Sequence, residues 1–100
     1  MVSIFKKEIK ENSIAYGFVY FIRNKDIYKI GITQNMLQRM DQLKPDELLD
    51  SVRCSNYQEL EKEIHQQFKE FRIPQTEYFR LDKTHISQIH KIFKTRAETE

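Results

Sequence analysis

The sequence predicts an α+β fold in which a small antiparallel sheet of three to four strands is flanked by helices. Runs of β-branched and aromatic residues alternate with runs that repeat apolar residues every three or four positions. Turn-forming residues separate the first two β-type runs. The runs follow one another in the order ββαβαβα, which is typical of a sheet with helices packed on it.

The first two strands form a predicted hairpin followed by a helix. Residues 16–23 are β-branched and aromatic, Asn24-Lys25-Asp26 supplies the turn, and residues 27–32 form the second strand. The helix that follows ends near Lys44-Pro45, because proline cannot continue it. Its apolar residues are expected on one side: Met36, Leu37, Met40 and Leu43.

The second half of the chain predicts a strand, a helix, a short strand and a last helix. Residues 47–54 read as the third strand, and residues 56–72 as the clearest helix, capped by Ser55 or Asn56 and stopped by Pro74. Residues 77–81 form the fourth strand, and Asp82 caps the last helix. The inner stripes of the two helices are Leu60, Ile64, Phe68 and Phe71, then Ile86, Ile89 and Phe93.

The length of 100 residues predicts a single domain with one modest core. We expect residues 1–14 to be an N-terminal arm, residues 15–94 the domain, and residues 95–100 a frayed tail. The sequence has no run of about 20 apolar residues, so we expect no membrane span, and we see no secretory signal. The single cysteine, Cys54, excludes an internal disulfide and predicts a small buried residue in a reducing, cytoplasmic setting.

The charge distribution is weak evidence for a nucleic-acid partner. The net charge is only +2, but residues 1–42 hold seven Lys/Arg against four Asp/Glu, whereas the rest holds ten against eleven. Any basic face would therefore be formed mainly by residues from the N-terminal part of the chain. Scattered solubilising charge explains the same composition equally well.

The hairpin geometry brings Tyr20, Lys29 and Gly31 together. A two-residue loop, Lys25-Asp26, places Tyr20 directly opposite Gly31 and puts Lys29 on the same face, whereas an odd-length loop would separate Tyr20 from Lys29. Tyr20 is then a candidate base, because a nearby ammonium favours the phenolate. The alternatives are a half-buried strand aromatic for Tyr20 and a charge that protects a sheet edge for Lys29.

Three residues on helices complete the candidate chemistry. Arg39 could bind two phosphate oxygens and stabilise the charge of a transition state, or it could be an ordinary surface arginine. Glu61 could hold one Mg²⁺ or Mn²⁺, or it could belong to an ordinary charge pair on the helix. His65, four residues later on the same helix, could bind a phosphate, act on the leaving group, or only hydrogen-bond to Glu61. His85 and His90 are expected at the surface, and no Cys/His spacing suggests structural zinc.

These residues in this order resemble the GIY-YIG endonuclease superfamily, above all its small single-domain branch of phages and bacteria, named for a meiotically up-regulated fungal gene. Phe18-Val19-Tyr20 stands at the first triplet, Lys29-Ile30-Gly31 at the second, and Arg39 follows Gly31 at the superfamily's spacing. Leu60-Glu61 resembles the metal-binding position. The branch's tail signature is resembled by residues 60–68, then Arg72, then Thr76-Glu77-Tyr78-Phe79. The departures are Lys29 for the second tyrosine, apolar Ile32 and Leu43, and Thr76 where the branch usually has glycine.

The resemblance implies metal-dependent hydrolysis of DNA. Tyr20 would be the base or would orient the attacking water, and Lys29 would help to acidify Tyr20. Arg39 would stabilise the transition state, and Glu61 would hold a single Mg²⁺ or Mn²⁺. His65 is a further catalytic candidate. The candidate substrate-binding residues are Gly31, Arg23, Lys25 and Thr33. A non-cleaving DNA-binding or regulatory module of the same fold, or a protein-interaction subunit, remains an alternative. A homodimer or a partner protein could supply specificity.

Overall fold

A computed structural model of the chain describes residues 15–99. The predicted fold class and the order ββαβαβα are confirmed, and the sheet has four strands. The predicted N-terminal arm, residues 1–14, lies outside the described residues. In chain order the elements are β1 Gly17–Asn24, β2 Ile27–Thr33, α1 Met36–Leu43, β3 Glu47–Cys54, α2 Tyr57–Gln67, a 3-10 turn Lys69–Phe71, β4 Tyr78–Phe79 and α3 Lys83–Thr99.

The four strands form one antiparallel sheet in the order β3-β1-β2-β4. The hairpin loop is the two-residue Lys25-Asp26, with Lys25 at a φ of 57°. Tyr20 therefore pairs with Gly31, and the next residue pair on that face, Ile22 and Lys29, lies beside it. The register expected from the loop parity is confirmed.

One face of the sheet carries the hydrophobic core. Val19 and Phe21 of β1 and Ile30 of β2 pack with the inner stripes of α2 and α3, and all of these side chains are buried. Burying one such side chain contributes about 1.5–3 kcal/mol. Cys54 also belongs to this core, as expected. The buried members from the two helices are Leu60, Ile64, Ile89 and Phe93.

The opposite face carries Tyr20 and Ile22, which are buried but lie outside that core. The half-buried positions of α1, residues 36, 39, 40 and 43, share one side of the helix, and Arg39 among them lines a cavity together with Tyr20. Leu37 is 85% exposed, so its expected place on the inner side is wrong. Each residue turns a helix by about 100°, which carries Leu37 outside the arc that Met36 and Met40 define.

The helix ends differ from the prediction in two places. α2 ends at Gln67, and the 3-10 turn that follows lets Phe71 stack on His85 at a centroid distance of 4.0 Å. His85 is therefore half-buried, not at the surface as expected. His90 does lie at the surface, since its side chain is 41% exposed, and its Nδ1 lies 2.8 Å from Asp50 Oδ2.

α3 continues to Thr99, beyond residue 94 where order was expected to end. Arg96 explains the extension, because its guanidinium donates to Asn56 Oδ1 at 2.9 Å and lies 3.8 Å from Glu63. Asn56 is the N-cap of α2, but its side chain makes no capping bond there. At the start of α3, the His85 N–H donates to Asp82 Oδ1 at 2.9 Å, which confirms the predicted cap. Among residues 15–99, no helix combines the length and apolar character needed to cross a bilayer.

Candidate functional site

A cavity of about 200 Å³ lies along β2 and is lined by residues 29–32 of that strand and by side chains from other elements. β4 pairs only with Tyr28 and Lys29, so in the described part of the chain the rest of β2 has no strand on the side away from β1. Side chains from four elements and one loop reach this opening. They are Tyr20 of β1, Lys29 of β2, Arg39 of α1, Glu61 of α2, and Glu77 just before β4. Of the predicted catalytic set, His65 alone is absent from the lining.

Gly31 makes room for Tyr20 itself. A Cβ at residue 31 would collide with the Tyr20 hydroxyl and lie 2.5 Å from Cζ. The phenol ring of Tyr20 therefore lies directly over Gly31. The φ of Gly31 is not positive, so residue 31 must be glycine because of the space that the ring occupies and not because of backbone conformation. This close approach fixes the Tyr20 hydroxyl at the wall of the cavity.

Burial controls the protonation of Tyr20. Desolvation raises the pKa of Tyr20 above its ordinary value, and the positive charges of Lys29 and Arg39 only partly oppose it. Glu77 and Glu61 raise the pKa further. Lys29 lowers the pKa of Tyr20 in the direction expected, but burial outweighs the ammonium and the net shift is upward. At neutral pH Tyr20 is a protonated phenol.

Lys29 is paired with a carboxylate that the sequence reasoning did not identify as part of the site. Its Nζ lies 3.2 Å from Glu77 Oε2, and 6.0 Å from the centre of the Tyr78 ring. Glu77 reaches the cavity because its neighbour Tyr78 pairs with Lys29 across β4 and β2. The sequence holds no signal for that pairing, since the two strands are far apart in the chain.

Glu61 and His65 have different tasks although they share one side of α2. Glu61 is half-buried, and desolvation raises the pKa of its carboxyl, which His65 and Lys29 partly oppose. His65 Nε2 donates to the carbonyl oxygen of Ile30 at 2.7 Å. This hydrogen bond assigns the proton to Nε2 and satisfies an edge carbonyl of β2 that β4 is too short to reach.

The donor set fits a single hard cation. Residues 15–99 contain no cluster of three or more His, Cys, Asp or Glu side chains able to surround a metal. Mg²⁺ usually keeps several waters and binds through one or two carboxylates plus substrate phosphates. Glu61, a half-buried carboxylate whose charge is poorly compensated, is the side chain suited to that role.

The other candidate substrate-binding residues lie away from the cavity. Arg23 Nε pairs with Glu47 at 3.1 Å, on the opposite face from Tyr20. Lys25 is in the hairpin turn, where its backbone N–H donates to Asp46 at 2.7 Å. Thr33 ends β2, and its hydroxyl accepts from the N–H of Asn35, the N-cap of α1, at 3.0 Å. Gly31 alone of this group lines the cavity.

Comparison with known families matches residues 17–95 to the T5orf172 domain. The chain belongs to the T5orf172 domain family. The match covers every strand of the sheet and all five of these cavity-lining side chains. This domain is often associated with nuclease families, which makes a role on nucleic acid plausible. No curated protein and no solved structure matches the chain significantly.

Proposed function

We propose that this T5orf172 domain is a metal-dependent DNA endonuclease or nickase of the GIY-YIG kind. The observation that carries the proposal is the single cavity lined by Tyr20, Lys29, Arg39 and Glu61. A phenol, two cations and a carboxylate are the groups needed to orient water, neutralise a phosphodiester and hold a metal ion. One hairpin and two separate helices contribute them, which ordinary surface charge does not explain.

Tyr20 would act on the attacking water. Because burial keeps its pKa high, the resting phenol would orient a water by hydrogen bonding. Its deprotonated form could then serve as the base when a bound cation adds positive charge to the cavity. The hydroxyl is held against Gly31, so the hairpin itself would fix the position of a water bound to it.

Arg39 and Lys29 would bind the phosphodiester. The guanidinium can donate to two non-bridging oxygens and stabilise the charge that grows in the transition state. The ammonium of Lys29 would add a second charge-assisted donor. Glu61 would hold a single Mg²⁺ or Mn²⁺, which supplies Lewis-acid activation of a phosphodiester oxygen when bound.

A second function is a DNA-binding or regulatory module of the same fold with weak or no cleavage. The specific observation in its favour is the resting state of the site. Tyr20 is 2% exposed and protonated, and Lys29 is engaged by Glu77. A site arranged in this way can still bind a phosphate backbone without activating water.

The test is nicking of supercoiled plasmid in Mg²⁺ or Mn²⁺. We expect the variants Tyr20→Phe, Arg39→Ala and Glu61→Ala each to reduce the rate by about 10²–10³-fold, the usual cost of removing one base or one transition-state donor. Arg80→Ala is the matched control, because Arg80 is exposed, pairs with Asp26 and does not line the cavity. Thermal melting verifies that every variant is folded.

The two functions give different results. Cleavage that survives all three substitutions contradicts the site assignment. Wild-type protein that binds duplex DNA with a steep salt dependence but never cleaves it supports the binding module instead. Protein that neither cleaves nor binds DNA contradicts both functions.

A further inference from the structure

We propose that Glu77 is a positioning residue that holds the Lys29 ammonium in the substrate-free cavity and yields it to a phosphate group of the bound nucleic acid. This inference rests on the proposed function, because it assumes that a phosphodiester enters the cavity. It assigns a role to a carboxylate that lines the cavity but belongs to none of the catalytic or metal-binding roles above.

The ion pair is asymmetric in a way that suits exchange. The Lys29 side chain is 14% exposed, whereas that of Glu77 is 78% exposed. The ammonium is therefore fixed inside the site, and its partner lies on the solvent side. An exposed carboxylate in such a pair contributes little net free energy and can turn into water at low cost. A group that approaches from solvent meets Glu77 first.

The backbone that carries Glu77 is held in place, so its position at the opening is built into the fold. The Thr76 hydroxyl donates to the Ile73 carbonyl at 2.8 Å and accepts from the Tyr78 N–H at 3.1 Å. Arg72 donates to the Thr76 carbonyl at 2.8 Å. Gln75 takes a φ of 64° to complete this tight turn. Only the side chain of Glu77 needs to move for Lys29 to be released.

The charges in the cavity remain balanced during the exchange. Two carboxylates, Glu61 and Glu77, face two cations, Lys29 and Arg39. A phosphodiester carries one negative charge, as a carboxylate does, and its oxygens accept from an ammonium in the same manner. The phosphate can therefore replace Glu77 without leaving the mostly buried Lys29 unpaired, a state that would be costly.

The test is a double-mutant cycle on binding, measured without cleavage. Glu77→Gln keeps the shape of the side chain and removes its charge. We expect it to tighten binding of a short fluorescein-labelled DNA duplex in EDTA by about fivefold, the factor that corresponds to one exposed ion pair at the upper end of its range. In a Lys29→Met background the same substitution should have no such effect. NMR titration with inorganic phosphate, followed at the Lys29 and Gly31 amides, measures the same exchange without DNA.

Glu63→Gln is the matched control for charge alone. Glu63 is also an exposed carboxylate, 67% accessible, paired with the less exposed Arg96, but it does not line the cavity. The proposal is overturned if Glu77→Gln binds the duplex and phosphate no more tightly than wild type, if Glu63→Gln gives the same gain, or if the gain persists with Lys29→Met. Tighter phosphate binding with no plasmid cleavage supports the role of Glu77 and contradicts only the nuclease activity.

Discussion

Substituting Gly31 by alanine tests the geometry of the hairpin most directly. A Cβ at this position would lie 2.5 Å from Tyr20 Cζ, and ordinary contact begins at 3.4 Å, so the ring must retreat by about 0.9 Å. Tyr20 is 2% exposed and cannot swing freely into solvent. Overpacking of this kind costs about 1–3 kcal/mol. For a domain of this size each kcal/mol lowers the melting temperature by about 4–8 °C.

The same displacement should reduce cleavage much more than stability. A misplacement near 1 Å of a group that positions reactants costs roughly 10²-fold in rate. Gly17→Ala is the matched control, because a Cβ there meets the Tyr57 ring at 2.6 Å on the core face, away from the cavity. Both variants should melt earlier, as measured by circular dichroism, but only Gly31→Ala should lose nicking activity at a temperature where both are folded.

A double variant separates the hydroxyl from the ring. Tyr20→Phe removes the atom nearest the new Cβ, so the pair Tyr20→Phe/Gly31→Ala should recover part of the stability lost in Gly31→Ala. The reasoning is refuted if Gly31→Ala melts with wild-type protein, or if Gly17→Ala and Gly31→Ala lose activity equally while folded. Either result would mean that the tyrosine ring does not depend on the glycine.

Two further predictions concern α2. Burial raises the pKa of the Glu61 carboxyl, so ionisation of Glu61 opposes folding. The protein therefore keeps its full free energy of unfolding below the pKa of Glu61 in the unfolded chain, about 4.3, and loses part of it as the pH rises through the higher pKa of the folded state. Glu61→Gln should therefore melt at a higher temperature than wild type at pH 7 but not at pH 4, and a gain of equal size at both values would exclude this cause. His65→Ala removes the 2.7 Å hydrogen bond to the Ile30 carbonyl and should cost about 1–3 kcal/mol in urea unfolding; an unchanged midpoint would show that water replaces the imidazole.

The sequence was sufficient for features that depend on local rules. The parity of the hairpin loop determines that Tyr20 faces Gly31 and shares its side with Lys29, and the structure has this register. The strand from Glu47 to Cys54 and the Asp82 cap follow from residue type and position. These features involve neighbours in the chain or pairs joined by a short turn.

Features that depend on packing between distant segments were not predictable. How deeply Tyr20 is buried depends on tertiary packing, and that burial outweighs the positive charges of Lys29 and Arg39, so the pKa of Tyr20 is raised. The pairing of Lys29 with Glu77 depends on the register of β2 against β4. Spacing alone could not bring Arg39 and Glu61 to one cavity; only the family resemblance suggested it.

The brevity of β4 has a consequence for how such a site can change. Its two residues pair only with Tyr28 and Lys29, so residues 30–33 of β2 have no strand on the side away from β1. The position at which β4 ends therefore defines the opening of the cavity. A few residues inserted or deleted between Arg72 and Glu77 would widen or narrow the entrance while Tyr20, Arg39 and Glu61 kept their places. The entrance and the chemistry are thus separately variable, and under the proposed function a change at the entrance would alter which shapes of nucleic acid the cavity accepts.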